Sequence, residues 1–356
     1  MKRLACLLMV IILLLSTSFV SATEALPSIE TIATDLLNDA IANPNEFGLP
    51  DLEGEHVYIC NPVNPYVYEG GAIERNEDVE CYFVITDEAF LAYIKLCYVD
   101  GIPVSASLNT SIAEILNANC QIDDAFRLIT FCGDVFLKTL DNIVKCNTSS
   151  RFIESQDIES IERAVESFDC LTIKSRLTGI ITNPITSRSS VTLNVPYVPQ
   201  VDNTCWAAAG AAFGKYYNPN SRYASYSALY LSRLMGIDPS AGAGMEITLT
   251  MLRDYFDVAT VHYRYSLSRN ESISLFQQGK PILAGFVPCG PGMGHMVVLC
   301  GFSSYSSNGN TVIYVRDSNY ERMQSVIWIY GETLILDYDY GGCLEWAETA
   351  YYSYTP

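Results

Sequence analysis

One stretch of the chain, residues 200–213, constrains the fold more than any other. It places Cys205 directly after three polar residues, 202–204, whose side chains all suit a helix N-cap. The alanine-rich run behind them favours a helix, and the Asn-Pro pair at 218–219 is expected to end it. Cys205 is therefore predicted in the first turn of a buried helix. There the unpaired N–H groups and the helix dipole favour a thiolate.

A purely structural cysteine fits the same position, because free cysteine is among the most buried residue types. A reactive role for Cys205 requires a base and an orienting group elsewhere in the chain. Both follow downstream.

The N-terminus has the layout of a signal peptide. A basic start at Met1-Lys2-Arg3 is followed by an apolar run over 4–15 and small residues up to Ala22. The apolar run is too short for a comfortable membrane span. We therefore expect residues 1–22 to be removed and the mature protein to be secreted, extracellular and without a membrane span.

Composition excludes several classes of partner. A net charge of -19 argues against nucleic acid and anionic membranes.

Of the twelve cysteines, Cys6 leaves with the leader and Cys205 would stay free, which leaves ten that could form five disulfides. Their connectivity stays open. No C-x-x-C pair occurs, so no structural zinc is expected, and neither a metal nor a cofactor is predicted.

Residues 23–180 are predicted to form a separate α+β domain. One helix follows a Ser28 cap, a short one spans 110–117 and a third spans 157–168, with short strands and a hairpin between them. A linker at 181–192, rich in Thr, Ser, Asn and Pro, leads to 193–356. We expect the first region to be a pro- or regulatory region, or a permanent accessory domain.

The second region, 193–356, shows helical periods first and an antiparallel strand pattern after them, an α+β layout. His295 stands at the mouth of an apolar strand, directly after Gly294, where a glycine leaves the imidazole accessible. His262 is the rival base. It lies inside an alternating strand, where an ordinary structural role is favoured.

Asp317 ends the next strand, 311–316. Alternation puts it on the same face as Ile313 and Val315, which is predicted to face the core. A buried carboxylate needs a partner, and an imidazole suits it. Asn319 is the alternative orienting residue. Gln200, shortly before Cys205, carries an amide that can donate a hydrogen bond to a developing oxyanion.

Residues 193–345 resemble a papain-like cysteine peptidase, closest to the compact bacterial branch with the C39-like domains and the AvrRpt-type effector proteases. The matching segments are 195–200, 205–209, 294–298, 301–302 and 315–317. The resemblance implies a catalytic domain with the cysteine on its N-terminal helix and an antiparallel sheet carrying the histidine and the aspartate. It makes Cys205 the nucleophile, His295 the general base and acid, Asp317 the orienting residue and Gln200 the oxyanion donor.

The function that follows is endopeptidase hydrolysis of a protein or peptide substrate through a thioester on Cys205. Two alternatives stay open. One is a papain-like module that binds peptides without cutting them, and the other is an acyl transferase similar to transglutaminases. The sequence leaves the substrate, the cleavage specificity and the oligomeric state undetermined.

Overall fold

The computed structural model describes most of the chain from residue 28 to residue 353. The described residues are 28–50, 52, 55–60, 62–69, 72–99, 102–122, 124, 126–131, 134–139, 143–146, 176–179, 188–288, 294–305, 310–328, 334–338 and 342–353. The predicted signal peptide and the helix predicted at 157–168 lie outside them. Within the described ranges, no helix has both the length and the apolar character that a bilayer crossing requires.

The described part of the N-terminal half contains three helices: α1 (Ile29–Ala42), α2 (Pro44–Phe47) and α3 (Ser111–Asn119). The start of α1 is the predicted one, since the Ser28 hydroxyl accepts a hydrogen bond from the Thr31 N–H over 3.3 Å. The apolar face of α1 is buried, and α2 begins with a proline, whose missing N–H costs nothing at that position.

Ten described strands precede the cysteine helix. They are β1 (Tyr58–Cys60), β2 (Tyr66–Glu69), β3 (Ala72–Arg75), β4 (Val79–Ile85), β5 (Phe90–Val99), β6 (Ile102–Asn109), β7 (Phe126–Phe131), β8 (Asp134–Thr139), β9 (Ile143–Lys145) and β10 (Arg176–Gly179). Strands β7 and β8 pair antiparallel, as the predicted hairpin requires. Together with β2, β3 and β9 they form the smaller of the two described sheets.

The C-terminal half carries four described helices and eight strands. The helices are α4 (Cys205–Tyr217), α5 (Ala228–Leu234), α6 (Met245–Phe256) and α7 (Arg269–Gln277). The strands are β11 (Arg188–Thr192), β12 (Thr260–Tyr263), β13 (Ile282–Pro288), β14 (His295–Tyr305), β15 (Thr311–Arg316), β16 (Gln324–Trp328), β17 (Ile335–Tyr338) and β18 (Gly342–Tyr352). This is the predicted mixed α+β class, although β11 precedes α4 and β12 precedes α7, so the helices do not all come before the strands.

One large antiparallel sheet runs through both halves of the chain. Its order is β10-β1-β4-β5-β6-β16-β15-β14-β13-β18-β12, with β11 beside β14 and β17 beside β18. The halves meet where β6 pairs with β16, in the register Leu108–Ser325 to Ser105–Trp328. The division at residue 180 stays a prediction, while the hydrogen-bonded sheet is continuous across the two regions.

The end of the predicted linker differs from the expectation. Residues 188–192 form β11, which pairs antiparallel with β14 from Arg188↔Tyr305 to Thr192↔Gly301. Ser189 and Ser190 are exposed, so their polarity is typical of an edge strand as much as of a loop.

Helix α4 is packed closely against α6, and two glycines make the approach possible. A Cβ atom on Gly214 would lie 2.4 Å from Phe256 Cγ, and one on Gly210 would lie 2.7 Å from Thr248 Cγ2. Both distances are below any real contact between carbon atoms. Alanine and glycine in this helix therefore hold Cys205 against the core at a fixed depth.

Candidate active site

Cys205 is the first residue of α4, as predicted, and Thr204, one of the three predicted cap residues, is its N-cap, but the expected capping bond is not made. The Thr204 hydroxyl does not bond to the N–H groups of the helix. It donates to the carbonyl of Val201 over 2.6 Å and accepts from the Val201 N–H over 3.0 Å. Because the cap side chain turns back into the loop, the first-turn N–H groups stay available, and the Trp206 N–H bonds to the Cys205 sulfur.

His295 is the first residue of β14, and its ring is buried beside Asp317. The His295 Nε2 atom lies 3.1 Å from Asp317 Oδ1, with 2% and 1% of the two side chains exposed. Asp317 Oδ1 also accepts the Asn319 N–H over 2.9 Å. Because Nε2 faces the carboxylate, the other ring nitrogen, Nδ1, is left for the Cys205 sulfur, to which the imidazole also bonds.

The electrostatics of this group favour a charged pair. Burial raises the pKa of the Cys205 thiol, but the hydrogen bond and charge of His295 and the N–H groups of Met296 and Trp206 outweigh it, so the pKa is lowered. Burial lowers the pKa of His295, but the Asp317 carboxylate and the Cys205 sulfur raise it to about 10. The arrangement therefore stabilises a thiolate beside an imidazolium.

Gln200 is buried next to the end of β15, where Asp317 lies. Its side-chain carbonyl accepts a hydrogen bond from the Ser318 hydroxyl over 2.7 Å, which fixes the orientation of the amide. The Gln200 Nε2 donates to the Asp202 carbonyl over a long 3.4 Å. Ser318 thus supports a predicted site residue from the position directly after Asp317. Ser318 was not among the residues predicted for the site, although its place in the Asp-Ser-Asn run was visible.

His262 and Asn319 are placed differently from His295 and Asp317. The His262 Nδ1 lies 3.5 Å from Glu246 Oε1, on strand β12 at the end of the sheet. Asn319 is buried and reaches Asp317 through its backbone N–H. The structure thus brings Cys205, His295 and Asp317 together and leaves His262 paired with a glutamate.

A cleft of about 500 Å³ opens at Cys205 and His295. Its described lining comes from the glycine-rich loop at 241–244, from the start of α6, and from β13, β14 and β18. The volume is in the range of small-molecule and side-chain pockets. Glu348 on β18 is the acidic residue among this lining. Sequence reasoning missed it, because no element was predicted after residue 330, and the alternation at Leu344 and Trp346 was the available signal.

Among the described residues, no group of three or more His, Cys, Asp or Glu side chains is placed to hold a metal ion. Among the cysteines, Cys120 and Cys300 are free thiols, so the ten candidates do not pair as five bridges. Burial raises the pKa of Cys300 to about 12, which makes that thiol much less reactive than the thiol of Cys205.

Comparison with known proteins identifies the region that carries this group. Residues 192–346 match the model of the Peptidase_C39 like family. A solved structure described as a C39-like peptidase from Bacillus anthracis is 14% identical, with a TM-score of 0.26, and the match covers 40% of this chain and 99% of that one. UfSP from C. elegans is 10% identical, with a TM-score of 0.26, over 60% of this chain and 51% of that one. No curated protein matches the chain.

Proposed function

We propose that this protein is a papain-like cysteine peptidase that hydrolyses peptide bonds with Cys205 as its nucleophile, since residues 192–346 match the model of the Peptidase_C39 like family. The observation that carries the proposal is the chain of contacts from the Cys205 sulfur through His295 to Asp317. Each member is held by a different element, α4, β14 and the end of β15, so the group is a product of the fold.

The first half-reaction begins from the thiolate and imidazolium. The Cys205 sulfur attacks the carbonyl carbon of the scissile bond, and the carbonyl oxygen takes up the negative charge. The Cys205 backbone N–H and the Gln200 amide are the donors proposed for that oxyanion. The Gln200 amide can exchange its long contact with Asp202 for a hydrogen bond to the oxyanion, since catalytic hydrogen bonds often tighten only when substrate is bound.

His295 then gives its proton to the leaving amine, and the C–N bond breaks to leave a thioester on Cys205. The neutral imidazole next takes a proton from water, whose oxygen attacks the thioester. The carboxylic acid product leaves, and the thiolate and imidazolium are restored. Asp317 keeps Nδ1 aimed at the sulfur and stabilises the charged ring throughout, without itself taking a proton.

The electrostatic environment favours catalysis over a peptide-binding module. A module that only binds has no need of a cysteine whose pKa is lowered against the cost of burial. The protein is further proposed to act as a secreted endopeptidase on protein substrates, since its first 22 residues have the layout of a signal peptide.

The decisive experiment combines hydrolysis and labelling of the chain from residue 23. We expect Cys205→Ala to lose hydrolysis of an unfolded protein substrate by several orders of magnitude while it folds normally. A papain-type epoxide should modify Cys205 in the wild type. Cys120→Ala is the matched control, because burial raises the pKa of that thiol to about 11, and it should keep both activity and label.

Activity of Cys205→Ala within about tenfold of the wild type would refute the nucleophile. A primary amine that becomes attached to the substrate would instead identify an acyl transferase. His295→Ala is expected to behave like Cys205→Ala, and His262→Ala should keep most of the activity, because His262 pairs with Glu246 on another strand.

A further inference from the structure

Glu348 is aimed into the cleft by an irregularity in the sheet. Gly285 pairs with Glu348 and Phe286 with Trp346, so Ala347 is an extra residue that bulges from β18. Directly opposed residues in neighbouring strands share a face. Glu348 therefore lies on the face of Gly285 and Met296, while Trp346 lies on the opposite face with Phe286. The Trp346 indole N–H donates to the Glu348 carbonyl over 2.8 Å and holds this turn of the backbone.

The Glu348 carboxylate lies above the space that Gly285 leaves open. A Cβ atom on Gly285 would lie 3.8 Å from Glu348 Oε2 and 3.5 Å from Met245 Cε. Met296 lines the same cleft, and its sulfur accepts a hydrogen bond from Thr248 over 3.5 Å. The half-buried Glu348 side chain therefore lines the cleft beside the apolar side chains of Met245 and Met296.

No cation from the described part of the chain neutralises this carboxylate. The described lining of the cleft contains no lysine or arginine, and no ion pair is formed by Glu348 there. A half-buried carboxylate beside apolar walls is stabilised most by a partner that brings both a cation and methylene groups.

We infer that Glu348 binds a basic side chain of the substrate, arginine or lysine, in the cleft beside the scissile bond. This inference rests on the proposed peptidase function and makes Glu348 its specificity-determining residue. The methylene stem of the substrate side chain packs against Met245, Met296 and the backbone of Gly285. The cationic head forms a charge-assisted hydrogen bond with the carboxylate, and arginine can do so with two parallel bonds.

The test uses three peptide series that differ at one position near the cleaved bond, scanned from four residues before it to two after it. The varied residue is arginine, its neutral analogue citrulline, or leucine. At one position the wild type should prefer arginine to citrulline in kcat/KM by about tenfold or more, as expected for a charge-assisted hydrogen bond. Glu348→Gln should bring that ratio near one while leucine peptides are cleaved within about threefold of the wild-type rate.

Glu345→Gln is the matched control. It removes the same charge from the same strand at an exposed position, and it should leave the arginine preference unchanged. Glu348→Arg should invert the selection toward an acidic side chain. An arginine preference that survives Glu348→Gln, or a wild type that cleaves well without any arginine preference, would overturn the inference and leave the peptidase proposal intact.

Peptide binding to Cys205→Ala tests the Glu348 site independently of hydrolysis. Fluorescence anisotropy of the uncleaved arginine and citrulline peptides gives their Kd ratio without any hydrolysis. If the wild type cleaves nothing but this ratio still depends on Glu348, the peptidase proposal fails and the basic-side-chain site stands. A Kd ratio near one would reject the site regardless of activity.

Discussion

The guanidinium of Arg316 donates from Nη2 to Glu46 Oε2 over 2.6 Å, and this ion pair ties the strand that leads to Asp317 to the N-terminal half of the chain. Arg316 is nearly buried, with 7% of its side chain exposed, and its Nη1 also donates to the Glu321 carbonyl over 3.2 Å. Next to this pair, the Met323 N–H donates to the Glu46 carbonyl over 3.2 Å. The segment around Asp317 is thus held by residues from the opposite end of the chain.

Neutralising Glu46 is expected to lower stability. Glu46→Gln removes the partner of a largely buried guanidinium, and because Glu46 is 33% exposed the expected loss is moderate. We expect the free energy of unfolding to fall by about 1–2 kcal/mol, measured by urea denaturation. Glu321→Gln is the control, since only the backbone carbonyl of Glu321 contacts Arg316 and its stability should be unchanged. Equal losses in both variants would contradict this account.

Deleting the N-terminal half is expected to destroy the peptidase rather than release it. In residues 191–356 alone, β16 would lose the partner strand β6 and present an unpaired edge at 325–328, and the buried face of α1 would be missing. We expect this fragment to aggregate or to be less active than residues 23–356. A soluble fragment with a large gain in turnover would favour the alternative, a region that restrains the enzyme.

Cutting the chain supplies the control for the deletion. A protease site inserted at 181–187 leaves both pieces present, and the β6–β16 pairing should keep them together. The cut protein is expected to copurify as a complex and to retain its activity. Separation of the two pieces on a sizing column would show that the shared sheet does not hold them.

Asp317 is expected to matter far more than Asn319. Asp317→Asn keeps the size of the side chain but removes the charge beside His295 Nε2, and kcat should fall by about a hundredfold to ten-thousandfold. Asn319→Ala retains the backbone N–H that Asp317 accepts, and kcat should stay within about tenfold of the wild type. Comparable losses in the two variants would reopen the choice between them.

Thiol reactivity should show the charged pair directly. Since the thiolate forms as pH rises, a lowered pKa of Cys205 moves the onset of alkylation by iodoacetamide below the pH at which an ordinary thiol reacts. The pKa of His295, raised to about 10, keeps the imidazolium present through neutral pH, so activity is expected to decline only as pH approaches that value. His295→Ala should move the onset of alkylation upward. An onset that His295→Ala leaves in place would show that the two groups do not interact.

Local patterns were sufficient for the elements that carry the site. The alanine-rich run places Cys205 at the start of α4, the glycine before an apolar strand places His295 at the start of β14, and alternation places Asp317 at the end of β15. These predictions succeed because helical and strand periods are set by each residue's near neighbours. Alternation explains the burial of Asp317 only in part. It assumes that one face of β15 is buried, but β15 is buried on both faces along its whole length.

The amino-acid sequence by itself therefore determined where the reactive groups stand along the chain and which elements present them. Only the tertiary structure decided that β6 joins β16, that β18 enters between β13 and β12, and that Glu348 reaches the cleft of Cys205. A strand's period shows which of its faces is apolar but not which strand it pairs with. The partner is chosen by contacts between residues far apart in the chain, and one bulged residue, Ala347, reverses the face on which the next side chain lies.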